Sequence, residues 1–142
     1  MSAMGSRLVD ARVVDLFAGS GALGLEALSR GADHVVFVER ARGAQRVIRA
    51  NVELLGAQEA TTLVSDDVFR FLGRSDEPYD LALADPPYRT GDAARLIESF
   101  RRAPFAGELW LEHPSREPLP LPEGAETRRY GDTALTTLTA ES

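Results

Sequence analysis

Apolar and polar positions along this 142-residue chain alternate between two kinds of pattern. Short apolar or β-branched runs recur at Arg12–Phe17, His34–Val38, Thr61–Val64, Tyr79–Ala84 and Glu108–Glu112. Brief continuous runs of this kind, bounded by polar residues or glycine, mark strands buried on both faces. Between them, apolar residues return at helical spacing. Leu23, Ala27 and Leu28 mark a helix ending at Gly31, with Ser20 as its N-cap or first-turn residue. Ala44, Val47, Ile48, Asn51 and Leu55 mark a second, up to Gly56. A short third runs through Phe71-Leu72, and Ala93, Leu96, Ile97 and Phe100 line a fourth. After residue 112 the pattern changes. Four prolines between His113 and Pro122 exclude a helix. Glu126–Tyr130 and Thr133–Leu138 flank Gly131-Asp132, a two-residue turn suited to a β-hairpin. The prediction is an α/β fold: a mostly parallel, twisted sheet with helices on both faces and a C-terminal β-hairpin. Residues 1–142 read as a single domain, with residues 1–10 expected to be a flexible or vector-derived terminus.

Composition narrows this only a little. At 44% hydrophobic and 27% charged residues the chain is ordinary for a globular domain. No apolar run approaches a membrane span and no signal peptide is visible, so a cytoplasmic setting without membrane contact is expected. The absence of cysteine excludes disulfides and thiolate metal sites. His34 and His113 stand apart, so no metal is expected. The net charge of −6 argues against gripping nucleic acid by bulk electrostatics. Arg42, Arg46 and Arg49 read as a solvated helix face, Asn51 as a satisfied core amide and His113 as structural. Arg89 is the better candidate for a phosphate contact.

The chemistry converges on strand ends. In a parallel sheet, ligands bind outside the carboxyl ends of the strands. There lie Asp15 to Gly21 after the first strand, Glu39 after the second, Asp66-Asp67 after the third and Asp85-Pro86-Pro87-Tyr88 after the fourth. Gly19 and Gly21 would bring main-chain N–H groups against a nucleoside cofactor. Their spacing alone also fits a dinucleotide. Glu39 stands where an acid accepts hydrogen bonds from ribose hydroxyls. Asp67 or Asp66 could accept from an adenine amine; Asp67 is favoured, and the other would cap the following helix. Asp85 carries the sharper signal. An aromatic amine is a poor nucleophile, because its lone pair is delocalised into the ring. A carboxylate accepting one N–H and a main-chain carbonyl accepting the other would hold the nitrogen toward tetrahedral geometry. Pro86 and Pro87 stiffen that loop, and Tyr88 offers a face on which a flipped base can stack. The residues point to methyl transfer onto an amino nitrogen, driven mainly by positioning.

Residues 15–32, Asp-Leu-Phe-Ala-Gly-Ser-Gly-Ala-Leu-Gly-Leu-Glu-Ala-Leu-Ser-Arg-Gly-Ala, closely resemble the RsmD family of bacterial 16S rRNA guanine-N2 methyltransferases. Glu39, Asn51, Asp67 and Asp85-Pro86-Pro87-Tyr88 fit the same pattern, and the resemblance runs from Val9 to Leu138. It implies a Rossmann-like S-adenosylmethionine-dependent methyltransferase fold. It also implies S-adenosylmethionine as donor and the 2-amino group of guanine 966 in the small ribosomal subunit as acceptor. The expected cofactor contacts are Asp15, Phe17, Ala18, Gly19, Gly21, Leu23, Glu39, Arg40, Asp67, Val68 and Asp85. Asp85, Pro86 and Tyr88 are expected to be catalytic, with Pro87, Tyr88 and Arg89 on the substrate. The partner would be 16S rRNA, with the chain acting as a monomer. Only about ten residues precede the first strand, where family members carry a basic segment associated with RNA docking, so autonomous RNA binding is not expected. Three other readings stay open. One is an amino-group methyltransferase for adenine N6 or a protein glutamine amide. Another is a dinucleotide-binding oxidoreductase, which would have no use for Asp85 to Tyr88. The last is a cofactor-binding remnant without activity.

Overall fold

The computed structural model describes residues 8–140. Seven strands form one sheet in the order β3-β2-β1-β4-β5-β7-β6. In chain order they are β1 (Arg12–Leu16), β2 (His34–Val38), β3 (Thr61–Val64), β4 (Tyr79–Ala84), β5 (Ala106–Pro114), β6 (Glu126–Tyr130) and β7 (Thr133–Thr139). The helices are α1 (Ala22–Ser29), α2 (Arg42–Leu54), α3 (Val68–Arg74) and α4 (Asp92–Arg102). Strands β1 to β5 run parallel, and β7 returns antiparallel between β5 and β6.

Side chains alternate across each strand and so divide the core into two layers. Val14, Leu16, Val36, Val38, Ala82, Leu109 and Leu111 meet Val68 and Phe71 of α3 and Ala93, Leu96, Ile97 and Phe100 of α4. On the other face Val13, Val35, Phe37, Leu81 and Leu83 meet Ala27 of α1 and Ile48 and Val52 of α2. Because both faces are covered, the central strands carry continuous apolar runs.

Several expectations shift in detail. Strand β5 extends beyond Glu108–Glu112 because β7 pairs with it from Glu108↔Thr139 to Pro114↔Thr133. The hairpin turns on Gly131-Asp132 as expected, with Gly131 at φ 64°. A positive φ at the first turn position is what a II′ turn requires. Helix α1 is not capped by Ser20: Gly21, at φ 83°, takes the N-cap position without a side-chain bond. Helix α2 is rotated from the expected phase, burying Gln45, Ile48 and Val52, while Val47 and Leu55 are 45% and 63% exposed. Leu8 is buried, and Asp10 donates its N–H to the Gly31 carbonyl at 2.8 Å. The flexible stretch expected over residues 1–10 therefore excludes Leu8 to Asp10, and residues 1–7 lie outside the described residues. His113 is structural, as expected. Its Nδ1 lies 2.9 Å from the Pro114 carbonyl and its Nε2 2.7 Å from Thr136 Oγ1. A carbonyl can only accept, so Nδ1 carries a proton and donates it to Pro114, while Nε2 is hydrogen-bonded to the Thr136 hydroxyl.

One close approach sets how α1 sits on the sheet. A Cβ on Gly24 would stand 2.5 Å from Phe37 Cε1, 2.8 Å from Val35 Cγ1 and 3.0 Å from Asp15 Oδ2. Replacing a helical glycine by alanine ordinarily favours the helix by about 1 kcal/mol. Here overpacking outweighs that gain. Gly24→Ala is expected to destabilise the chain by about 1–3 kcal/mol, read as a lower urea midpoint. A raised midpoint would show that α1 can lift off the sheet at no cost.

Candidate active site

The strand order reverses between β1 and β4. From that point α1 leaves over one face of the sheet and α4 over the other, opening a crevice at the carboxyl ends. A cleft of about 400 Å³ lies there. Its walls are Phe17 and Gly19 after β1, Val38 to Arg40 after β2, Asp66 to Phe69 after β3, Asp85 and Pro87 after β4, and Asp92 and Arg95 from α4.

Asp15 ends β1 inside the protein, 1% exposed. The first N–H groups of a helix have no partner within it. Asp15 supplies one from below: its Oδ2 accepts the Gly24 N–H at 3.0 Å. Its Oδ1 is buried without a hydrogen-bond partner among the described residues. Burial pushes the carboxyl pKa well up, against the Gly24 bond, and the charges of Asp85 and Glu39 add to the rise.

The turn after β1 is held in unusual backbone geometry. Phe17 adopts φ 57° and Gly19 φ 58°. A Cβ on Gly19 would meet nothing within 4 Å, so the left-handed conformation, not crowding, favours glycine here. The two glycine N–H groups are already engaged. Gly21 donates to the Ala18 carbonyl at 2.8 Å, closing the turn. Gly19 donates to Glu39 Oε1, also at 2.8 Å. Glu39 Oε2 accepts from the Ala41 N–H at 2.9 Å, so this one carboxylate ties the ends of β1 and β2 together. Gln45 adds β3: its Nε2 donates to the Glu39 carbonyl and to Ser65 Oγ, each at 2.8 Å. Asn51 is partly exposed and donates to the Ser20 carbonyl at 3.2 Å, so it clamps the glycine turn instead of filling the core.

The acid pair after β3 divides its work differently from the expectation. Asp67, favoured for adenine, is itself the helix cap: its Oδ1 accepts from Phe69 and Arg70 N–H at 2.9 and 3.0 Å. Its Oδ2 lies 3.7 Å from Arg40, an exposed pair that adds little stability. Asp66 is held by Arg74 at 2.9 Å, and this hydrogen bond lowers its pKa. Over the same end of the cleft, Phe17 meets Phe69 edge-on at 6.0 Å. Arg95 covers the Phe69 ring at 3.9 Å.

Asp85 is open to solvent on the cleft side, and partial burial on its other sides raises its pKa. Pro86 is buried beneath the loop. The Pro87 carbonyl accepts from Thr90 Oγ1 at 3.0 Å. Tyr88 stands at the rim, 48% exposed, with the Arg89 guanidinium 5.1 Å over its ring.

Phe17, Gly19, Glu39, Arg40, Asp67, Val68, Asp85 and Pro87 thus share one cleft. Asp15, Ala18, Gly21, Pro86, Tyr88 and Arg89 are not among its walls. Leu23 lies elsewhere, in a second groove with Leu83 and Trp110. Val38, Phe69, Asp92, Arg95 and the positioning residue Gln45 went unread in the sequence. Gln45 had a legible signal, as a polar residue three positions before Ile48 and seven before Val52.

A family model described as Conserved hypothetical protein 95 matches residues 2–139. The chain belongs to this family. Its resemblance to the RsmD group is borne out by Escherichia coli K12 ribosomal RNA small subunit methyltransferase D, 40% identical over 84 residues. That match covers 59% of this chain and 42% of the E. coli protein, so the chain spans less than half of that relative. The solved E. coli protein yhhF is 28% identical, with a TM-score of 0.83 over 99% of this chain and 84% of that one. An S-adenosylmethionine-dependent methyltransferase from Agrobacterium tumefaciens shares the fold, with a TM-score of 0.71 at 19% identity, over 97% of this chain and 58% of that one. The family member described here therefore has the Rossmann-like methyltransferase fold.

The buried carboxylate of Asp15 yields a pH prediction. A carboxyl whose folded-state pKa lies above the ordinary 3.8 holds its proton better in the folded chain. Stability from this group is greatest below that value and is lost as pH rises through the interval up to the raised pKa. Ionising the buried group is a net cost to the fold. Asp15→Asn is expected to raise the urea midpoint at pH 7 and to flatten the decline from acid to neutral pH. A lower midpoint for the variant at pH 7 would overturn this account.

Proposed function

We propose that the chain transfers a methyl group from S-adenosylmethionine to the 2-amino group of a guanine in 16S rRNA, of the guanine 966 type. The observation that carries this reading is the shared cleft. Asp85, followed by two prolines and a tyrosine, lines the same space as Gly19, Glu39 and Asp67. The family and the name of the E. coli relative support an rRNA substrate.

The residues fit the cofactor. Each Glu39 oxygen holds one backbone N–H and keeps a second lone pair for a ribose hydroxyl. Asp67 Oδ2 is left for an adenine amine by a cap that uses only Oδ1. Val38, Val68 and Phe69 supply apolar wall. The orphaned Oδ1 of Asp15 leaves acceptor capacity beneath the glycine turn. When bound, S-adenosylmethionine supplies an electrophilic methyl group.

The chain's own part is to present the nitrogen. Asp85 accepts one N–H of the target amine. The main-chain carbonyl of Pro86 accepts the other. With both N–H bonds held, the lone pair turns out of conjugation toward the cleft. Tyr88 offers a stacking face for the base, and Arg89, lying over the other face, is placed for a phosphate. With a net charge of −6 the chain binds free RNA weakly and relies on the shape of a ribosomal particle.

The test is mass spectrometry of rRNA nucleosides after incubating small subunits with labelled cofactor; N2-methylguanosine is expected. Methyl-labelled adenine or glutamine instead would favour another amino-group methyltransferase. Two variants separate the roles. Glu39→Ala is expected to weaken cofactor binding by about 1–3 kcal/mol in calorimetry, through stranded partners. Tight binding of NAD with no response to S-adenosylmethionine would refute the cofactor assignment. Asp85→Ala is expected to bind cofactor nearly as before, while single-turnover transfer drops by orders of magnitude. A near-normal rate in that variant would remove Asp85 from the chemistry.

A further inference from the structure

Beside the cleft, the sheet presents a second, smaller groove that the reading above leaves unused. It holds about 170 Å³, is walled by Leu23, Leu83, Trp110, Tyr130 and Leu135, and contains one acid, Glu112. Trp110 is fixed in place, because its indole N–H donates to Glu108 at 2.8 Å. An apolar slot with a rigid aromatic wall and a single charged group suits a planar ring with one polar edge.

The strand register connects this groove to the reacting centre. Ala84 of β4 pairs with Leu111 of β5, and Leu83 pairs with Trp110. Asp85, the first residue after β4, and Glu112, within β5, therefore stand side by side across neighbouring parallel strands. By alternation Glu112 shares the sheet face of Trp110, and Asp85 follows two positions after Leu83 on the neighbouring chain segment. Glu112 senses the neighbouring carboxylate: burial raises its pKa, and the Asp85 charge raises it further. Two like charges side by side favour a ligand edge that brings an N–H to each.

We propose that Glu112 selects guanine: its carboxylate accepts the N1–H of the flipped base while Asp85 accepts from the adjacent 2-amino group. This rests on the guanine-N2 reading above and names the residue that enforces it. Guanine presents two neighbouring donors on its Watson–Crick edge, N1–H and the 2-amino group, and so matches two acceptors. Adenine presents an amine beside a bare ring nitrogen, whose lone pair would face the Glu112 carboxylate. A glutamine amide offers one amine and no second donor beside it. A site built to receive a hydrogen bond rejects an analogue lacking the donor far more strongly than an apolar pocket rejects a change of shape. Glu112 is thus a specificity-determining residue, while Asp85 acts on the reacting nitrogen.

The experiment compares guanine with 2-aminopurine, which keeps the 2-amino group but has an unprotonated N1. Small subunits are reconstituted with either base at the position that the unaltered protein methylates. Single-turnover rates are then measured for the unaltered chain and for Glu112→Gln, with calorimetric cofactor binding as the check that the variant is folded. The unaltered chain is expected to prefer guanine by about a thousandfold or more. A glutamine amide can turn its NH₂ toward a bare N1. Glu112→Gln is therefore expected to narrow the preference at least about tenfold, by slowing guanine and speeding 2-aminopurine. An unchanged ratio in a folded variant would overturn the role of Glu112 while leaving the guanine reading intact. Methylation of another base or of a protein amide by the unaltered chain, or of nothing in the subunit, would overturn the guanine reading and this inference with it.

Discussion

The hydrogen bond from the Gly24 N–H to Asp15 is the constraint on which the site depends. A strand carboxylate under the first turn of a helix caps that helix from below, in place of the serine or aspartate that usually does so from in front. The bond requires α1 to lie so close to the sheet that position 24 has no room for a side chain. That closeness fixes the start of α1, and the glycine turn from Phe17 to Gly21 bridges what remains. The exposed hydrogen-bonding atoms of the cleft then follow from the neighbouring strand end, where Glu39 holds Gly19. A carboxylate buried for this purpose is expensive, and the orphaned Oδ1 is the visible part of that cost.

The parallel sheet was legible because its strands are buried on both faces. The buried strands β2 and β4 begin and end where their residue patterns do, as do the more exposed edge strands β3 and β6, and α4 buries the four residues its spacing marked. Elements governed by a polar contact were harder to read. Counting apolar positions put Val47 and Leu55 inside α2, yet the helix turns Gln45 inward to reach two acceptors at strand ends. Ser20 looked like a cap, but the backbone at Gly21 takes a left-handed turn that gives the cap position to glycine. Within the cleft, the strand-end acids stood out because each follows an apolar run. Phe69 and Arg95 did not, because they lie within helices and meet only when α3 and α4 converge over the cleft.

The electrostatics of the site are compatible with the proposed RNA substrate, acidic though the chain is. Burial and the charges of Asp85 and Glu39 raise the proton affinity of Asp15, and burial and the Asp85 charge raise that of Glu112. Such a field favours a cationic donor molecule and an uncharged base edge rich in N–H groups, and it repels phosphate from the reacting centre. Among the arginines, Arg95 covers Phe69 in the cleft wall, while Arg40 and Arg89 are exposed. In the proposed complex, backbone phosphates would be met at the rim and the base inside, a division between positioning and recognition.

The buried amide of Gln45 has a mechanical consequence. It joins the Glu39 main chain to Ser65, the residue before Asp66 and Asp67. A displacement of Glu39, proposed above to meet the ribose, would therefore be passed through its main chain across the sheet to the loop proposed to meet the purine. Small fragments of the cofactor should not bind as independent pieces: a ribose that settles Glu39 also settles the acids beyond Ser65. The nucleoside would gain more than the separate affinities of its sugar and its base add up to, and the excess would reside in one uncharged side chain that touches neither.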